Sequence, residues 1–178
     1  MLSLGSIVEY NAAAFFPGGK RLMIAAHEQG RPTRLFVQDL AAGEPRAVSA
    51  EDVRFPMGSS PVAPDGAHAF ALGPSGLALY PLGGGEPRPI PKIATDEVPL
   101  RWNENGAAIY VLGPSPDGRH VDRVEMANGA RRRLWELRPG GMGVIPDMAF
   151  VTADGAGYVF NYGTAGTLLF EATGLSHR

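Results

Sequence analysis

The chain has 178 residues with 16 basic and 18 acidic side chains, a net charge of −2, and a pI near 6.1; this excludes a whole-chain electrostatic footprint for nucleic acid. It contains no cysteine, which removes disulfides, zinc–thiolate sites and thiol nucleophiles. Hydrophobic residues make up 44% of it, enough for the core of a single domain, and no apolar run reaches the roughly 18 residues that a membrane helix needs.

The first sixteen residues are apolar, but they lack a basic n-region and are interrupted by Glu9 and Asn11, so they do not read as a signal peptide. Ser6 to Tyr10 reads as a spare strand ahead of a first repeated strand at Ala12 to Phe16. A turn, Pro17-Gly18-Gly19, follows, and then the apolar run Arg21 to Ala26. Leu35-Phe36-Val37 is a third short run, Ala42-Gly43-Glu44 a second turn, and Pro45 to Val48 a fourth run.

This order returns along the chain. The first turn recurs as Pro64-Asp65-Gly66, Glu104-Asn105-Gly106 and Ala153-Asp154-Gly155, its closing glycines 47, 40 and 49 residues apart. The second recurs as Gly84-Gly85-Glu86 and Asn128-Gly129-Ala130, spaced by 42 and 44. Two interleaved turn families with a period near 40 mark a repeat architecture. Each unit holds four short strands, called a to d here. Strand a precedes the first turn, as at Ser60 to Ala63, Leu100 to Asn103 and Met148 to Val151. Strand b follows it, as at Ala69 to Leu72, Ala107 to Leu112 and Tyr158 to Tyr162. Strand c comes next, at Leu77 to Tyr80, Val121 to Val124 and Leu168 to Phe170; strand d follows at Pro87 to Ile90 and Arg133 to Leu137.

Strands b and c are continuous apolar runs, as expected where both faces are covered. Strand d carries Pro and Arg, which discourage pairing at an outer edge. The expected fold is therefore all-β, a single β-propeller domain over 1–178 of about four antiparallel four-stranded blades (about 12–50, 58–93, 98–138 and 146–175), with 6–10 as the spare outer strand. A helix competes only over Arg119 to Arg138, and Gly129 interrupts it. The last unit has no strand d after Thr173. If the spare strand pairs outside Leu168 to Phe170 the ring closes. If it does not, the propeller is partial, and its end blades expose apolar faces that favour self-association. The open arc is the expectation.

Three segments carry a family resemblance: Phe15 to Leu22, Ala63 to Gly66 and Leu35 to Arg46. With Gly84 to Ile90 they resemble the WD-repeat-like β-propeller repeat of the TolB type. Val98 to Trp102 in the third unit, and a short final unit ending near Leu175, are similar to the C-terminal propeller of bacterial serine/threonine kinases of the eukaryotic type. The resemblance implies a propeller and, for the kinase group, a module attached to a larger chain. Gly18 stands where the repeat has aspartate; Glu104 and Ala153 stand where it has proline. No kinase motif is present, so kinase activity does not carry over.

Chemical motifs are sparse. Gly-x-Ser-x-Gly is absent, which disfavours a serine hydrolase. His27, His68, His120 and His177 lack metal-ligand spacing and read as surface or turn residues. Asp117-Gly118 lacks a calcium-loop pattern; Ser115 to Gly118 reads as the tip of a b–c hairpin. Arg131-Arg132-Arg133 reads as a solvated edge strand, because alternate residues face opposite sides. Trp102 reads as blade-interface core, with its neighbour Arg101 facing elsewhere. The loops that enter strand a contain Asp52, Asp96, Glu97 and Asp147, an acidic rim able to receive a basic partner.

The expected function is a non-catalytic interaction or sensor module that binds a protein or small ligand through loops at a channel mouth. The candidate partner-binding residues are Asp52, Asp96, Glu97, Arg101, Trp102 and Asp147; no catalytic residue, metal, cofactor, nucleic acid or membrane insertion is expected. The alternative is a propeller fragment of a larger enzyme, a serine/threonine protein kinase or a prolyl-oligopeptidase-type peptidase. A stand-alone glycosidase or lactonase propeller would need convergent carboxylates or metal ligands. As written, the chain would be soluble and cytoplasmic, or periplasmic as part of a membrane-anchored kinase.

Overall fold

A computed structural model describes residues 5–41, 43–90, 92–138 and 148–161. The first sheet runs β1 (Ile7–Phe15), β2 (Arg21–Glu28), β3 (Arg34–Asp39) and β4 (Arg46–Ala47) in spatial order. The second holds β5 (His68–Gly73), β6 (Gly76–Pro81) and β7 (Arg88–Pro89). The third holds β8 (Val98–Trp102), β9 (Ala108–Ser115), β10 (Gly118–Glu125) and β11 (Arg131–Leu137). The fourth pairs β12 (Met148–Val151) with β13 (Tyr158–Asn161). Every pairing within these sheets is antiparallel. This is the all-β propeller expected of the sequence, open rather than closed among the described residues. No helix among them is long and apolar enough to cross a membrane.

The a–b turns show why the sequence repeats. In all four units an amide at the end of strand a donates to a carbonyl five residues on, across the turn: Phe16 to Arg21, Ala63 to His68, Asn103 to Ala108 and Thr152 to Gly157, at 2.8–2.9 Å. The turn glycines, Gly19, Gly66, Gly106 and Gly155, have φ between 66° and 74°, a region that side chains with a Cβ rarely adopt. The residue before each of the last three accepts the amide two positions ahead: Asp65 from Ala67 (2.8 Å), Asn105 from Ala107 (3.0 Å) and Asp154 from Ala156 (3.0 Å). This is why Asp or Asn recurs there.

The core lies between successive sheets. Met23, Ala25 and Leu35 of the first pack with Val53, Ala69, Ala71 and Tyr80 of the second unit. Phe70 packs with Trp102, Ile109, Val111 and Val124 between the second and third. Tyr110, Leu112, Val121 and Leu137 pack with Ala149 and Val151 between the third and fourth. Side chains alternate across each sheet, so β9 sends Ile109 and Val111 one way and Tyr110 and Leu112 the other.

Two sequence expectations need correction. Ser6 to Tyr10 is not a spare outer strand: Ile7 onward is the front half of β1, paired to β2 from Ile7↔Glu28 to Phe15↔Leu22. Two bulges, near Glu9 and Asn11, accommodate the residues that interrupted the apolar pattern. In the second unit, strand a is reduced to the bridge Val62↔Ala69, since Pro61 has no amide to donate to a ladder. Over Arg119 to Arg138 the expected strands c and d form the hairpin β10–β11, and the competing helix does not, the chain turning where Gly129 adopts φ 68°. Leu168 to Phe170 lie outside the described residues.

Candidate functional site

Strand a is the innermost element of every unit. The inner edges of the second and third units run side by side through a parallel bridge, Ser60↔Arg101, with the Ser60 amide donating to Leu100 at 2.8 Å. The third and fourth are tied by the Glu104 amide donating to Ala153 at 3.0 Å and by the Tyr110 hydroxyl donating to the same carbonyl at 3.2 Å. The four strands converge on a groove of about 370 Å³. Phe15, Phe16 and Pro17 line it from the first unit; Ser60, Val62 and Pro64 from the second; Arg101 to Glu104 from the third; and Ala153 from the fourth. It opens at the end where the a–b turns lie.

Two of the six residues expected from sequence meet here. Arg101 is half-buried, its guanidinium donating to Val151 at 3.0 Å and to the Trp102 carbonyl at 3.3 Å. Trp102 is only 6% exposed, donates from Nε1 to Pro61 at 2.7 Å, and stacks on Phe70 at 6.3 Å. It is interface core whose edge reaches the groove, as the sequence reading favoured. Phe15 is 65% exposed on the opposite wall. The groove therefore offers an apolar wall, a held guanidinium and one exposed carboxylate, Glu104.

Asp52, Asp96 and Glu97 belong to the other mouth, where loops enter strand a. Asp52 and Asp96 are exposed; Asp147 lies outside the described residues. Glu97 is not a free rim carboxylate. Arg131 grips it from two nitrogens at 2.5 and 2.6 Å, and the Ala94 amide donates to it at 2.8 Å. Arg131 also reaches Asp122 at 3.2 Å and donates to the Lys92 carbonyl at 2.9 Å. Arg133 donates to Asp122 at 2.6 Å and pairs with Glu136, whose other oxygen accepts from Ser115 at 2.8 Å. The His120 ring lies 3.6 Å from Asp122.

This network overturns one reading of the sequence. His120 is 8% exposed, a buried residue rather than a surface one. Arg131 to Arg133 do lie on a solvated edge strand, as read from sequence, and from it Arg131 and Arg133 also reach the carboxylates of one sheet face. The signal was in the pattern: His120 and Asp122 alternate on β10 as Arg131 and Arg133 alternate on the paired β11, which places all four on one face. Taken one run at a time, the sequence does not show the pairing.

Among the described residues, Glu97, His120 and Asp122 form the group that could hold a metal ion, their ligand atoms within 4.8 Å of one another. The oxygens are already neutralised by two guanidiniums, and a divalent cation would have to displace Arg131. The arrangement is an ion-pair lock. Burial alone would raise the Glu97 carboxyl, but the Arg131 bonds and the Ala94 amide outweigh it and hold it below the ordinary carboxylate range. Arg131 is in turn raised, first by its bond to Glu97 and then, against burial, by Asp122.

Gly113 makes room for the lock. A Cβ there would lie 2.5 Å from His120 Nε2 and 3.3 Å from Glu97 Oε1. Gly113→Ala is expected to destabilise the fold by about 2 kcal/mol through overpacking. Differential scanning calorimetry would show a midpoint about 4–8 °C lower; an unchanged midpoint would mean that the imidazole is not held in place.

No protein-family model matches the chain, and no curated protein does. Solved structures do. TolB from Acinetobacter baumannii superposes with a TM-score of 0.61 at 18% identity, over 89% of this chain and 39% of that one. A protein described as a TolB from Agrobacterium tumefaciens gives 0.61 at 12% identity, over 89% and 67%. An oligogalacturonate lyase in complex with manganese gives 0.60 at 15%, over 86% and 47%. The shared property is the TolB-type propeller fold. The chain spans 39% of the length of the first of these proteins, 67% of the second and 47% of the third.

Proposed function

We propose that this chain is a non-catalytic recognition module that binds a peptide segment or small ligand in the groove at the a–b-turn mouth. One observation carries the reading: all four units contribute to a single groove whose floor holds a guanidinium fixed by Val151. Rigid strands below and turn residues above are the usual way a repeat fold presents a binding surface. The described lining has one carboxylate, one guanidinium and no imidazole, a set suited to holding a ligand and short of a general acid–base pair. Phe15 supplies an exposed aromatic anchor of the kind that dominates binding energy. The acidic rim at the opposite mouth keeps Asp52 and Asp96 for a basic partner, while Glu97 is committed to Arg131.

The alternative is that the chain works as the propeller part of a larger enzyme, a kinase of the bacterial eukaryotic-type group or a peptidase. Its short span relative to the TolB and lyase structures is what favours keeping it. Both readings use the same groove.

The test is selection of a random displayed-peptide library on the full chain, then affinity measurement of the enriched peptide by fluorescence polarisation. Arg101→Glu and Glu104→Arg are each expected to weaken it at least about tenfold, corresponding to roughly 1.4 kcal/mol. Asp96→Asn, at the far mouth, leaves it unchanged. No enrichment, or sensitivity to Asp96 alone, would sink the proposal. Formation of unsaturated uronate from oligogalacturonate with added manganese would replace it by an enzymatic one.

A further inference from the structure

We infer that the cleft between the first and second units is a second binding site, for a small ligand with an aromatic or aliphatic body and an amino group. This cleft, of about 460 Å³, lies apart from the groove. Its floor is the outer part of the second sheet, with Leu77, Ala78 and Tyr80 of β6, and its roof is the connecting segment from Val48 to Val53. Val48, Val53, Leu77, Ala78 and Pro89 give it apolar walls.

Its polar groups decide the ligand class. Tyr80 is 7% exposed, and no hydrogen-bond partner for its hydroxyl is found among the described residues. Burial alone pushes that hydroxyl's pKa up, so the phenol is neutral and able to donate as well as accept. The hydroxyl keeps solvent access, so a ligand in the cleft can bond it in place of water. Gly73 is shaped around this group, because a Cβ there would overlap the Tyr80 oxygen. Two other polar side chains of the lining are committed: Ser49 donates to Ala50 at 2.7 Å and accepts from Leu35 at 2.9 Å, and Glu51 is held by Arg31 at 2.7 Å; Ser75 adds an exposed hydroxyl. Glu86 is exposed at the rim, and no Lys, Arg or His lines the cleft. Its charge is therefore wholly acidic, which rejects anions and favours a cationic head beside Glu86.

The experiment uses three probes of one shape on the full chain: benzylamine, benzamide and benzoate. Affinities are titrated by ligand-observed NMR, and the site is mapped by amide shifts of the ¹⁵N-labelled protein. Benzylamine is expected to bind most tightly, benzamide several-fold weaker and benzoate at least about tenfold weaker, with shifts at Gly76, Leu77 and Ala78. Tyr80→Phe removes one oxygen and weakens benzylamine and benzamide alike, about fivefold for one hydrogen bond. Glu86→Gln, an exposed change that spares the fold, erases the preference for benzylamine over benzamide. Benzoate binding as well as benzylamine, affinities unmoved by Tyr80→Phe, or no binding and a merely hydrated cleft would each overturn the inference.

Discussion

Trp102→Ala is expected to lower the stability of the fold by about 4 kcal/mol, read as the urea midpoint at constant m-value. Three losses combine. The indole is 6% exposed between the second and third units, so its removal opens a cavity beside Ile109, Val111 and Phe70. Its stacking on Phe70 is lost. Its Nε1 donates to Pro61 at 2.7 Å, and that carbonyl belongs to the inner strand of the second unit, held to its sheet by the bridge Val62↔Ala69. Trp102→Phe separates the terms, because it keeps most of the ring and drops the bond; about 2 kcal/mol is expected for it. If alanine and phenylalanine cost the same, the hydrogen bond and not the packing holds the two units together. The peptide selected on the groove should also bind less tightly to Trp102→Ala, since Ser60 and Val62 lose the strand that positions them.

The turn pattern makes most of this fold legible in the sequence. A glycine at positive φ, preceded by Asp or Asn that accepts an amide two residues on, is a local device, and local devices repeat wherever the unit repeats. Asp65, Asn105 and Asp154 are equivalent for that reason. The b and c strands were legible because burial on both faces removes polar alternation. The first strand was misjudged at Glu9 and Asn11. A bulge lets such residues stay in the strand, and nothing in composition separates a bulge from a break. Pro61 likewise gave no warning that its strand would shrink to one bridge.

The site was legible in half. Arg101 and Trp102 could be placed because strand a is innermost in a propeller blade. Their role depended on which mouth carries the groove, and that follows from how four turns crowd together, a long-range property. The acidic loops drew attention by charge alone. Glu97 shows the limit of that reasoning: its neighbour Asp96 is exposed, while Glu97 turns inward to an arginine 34 residues away in sequence. Opposite charges that close across a sheet face cannot be paired from sequence without the strand register, here Asp122↔Arg133.

Arg131→Met tests that lock, and its effect depends on pH. The Arg131 side chain is 29% exposed, against 7% for Glu97 and Asp122, so two carboxylates stand to lose a counter-charge in a site with little water. Breaking such a pair on one side costs about 3–5 kcal/mol when fully buried; the partial exposure of Arg131 reduces the expectation to about 2–3 kcal/mol at pH 7. In the wild type the Glu97 carboxyl sits below its ordinary range. Its contribution is therefore present above the unfolded carboxylate pKa and fades as pH falls through the lower folded one. In the variant the guanidinium no longer opposes burial, leaving only the Ala94 amide and His120 to do so, so the folded pKa of this carboxyl rises and less stability is lost toward acid. The gap between the two proteins should be widest at neutral pH and narrow markedly by about pH 4. Urea unfolding of both proteins at the two pH values measures it directly. Adding Glu97→Gln to Arg131→Met removes the stranded charge and should return part of the loss at pH 7, with little effect at pH 4. An equal gap at both pH values would show that Arg131 acts through its aliphatic stem packed on the sheet, and the lock would then be a matter of packing rather than of charge.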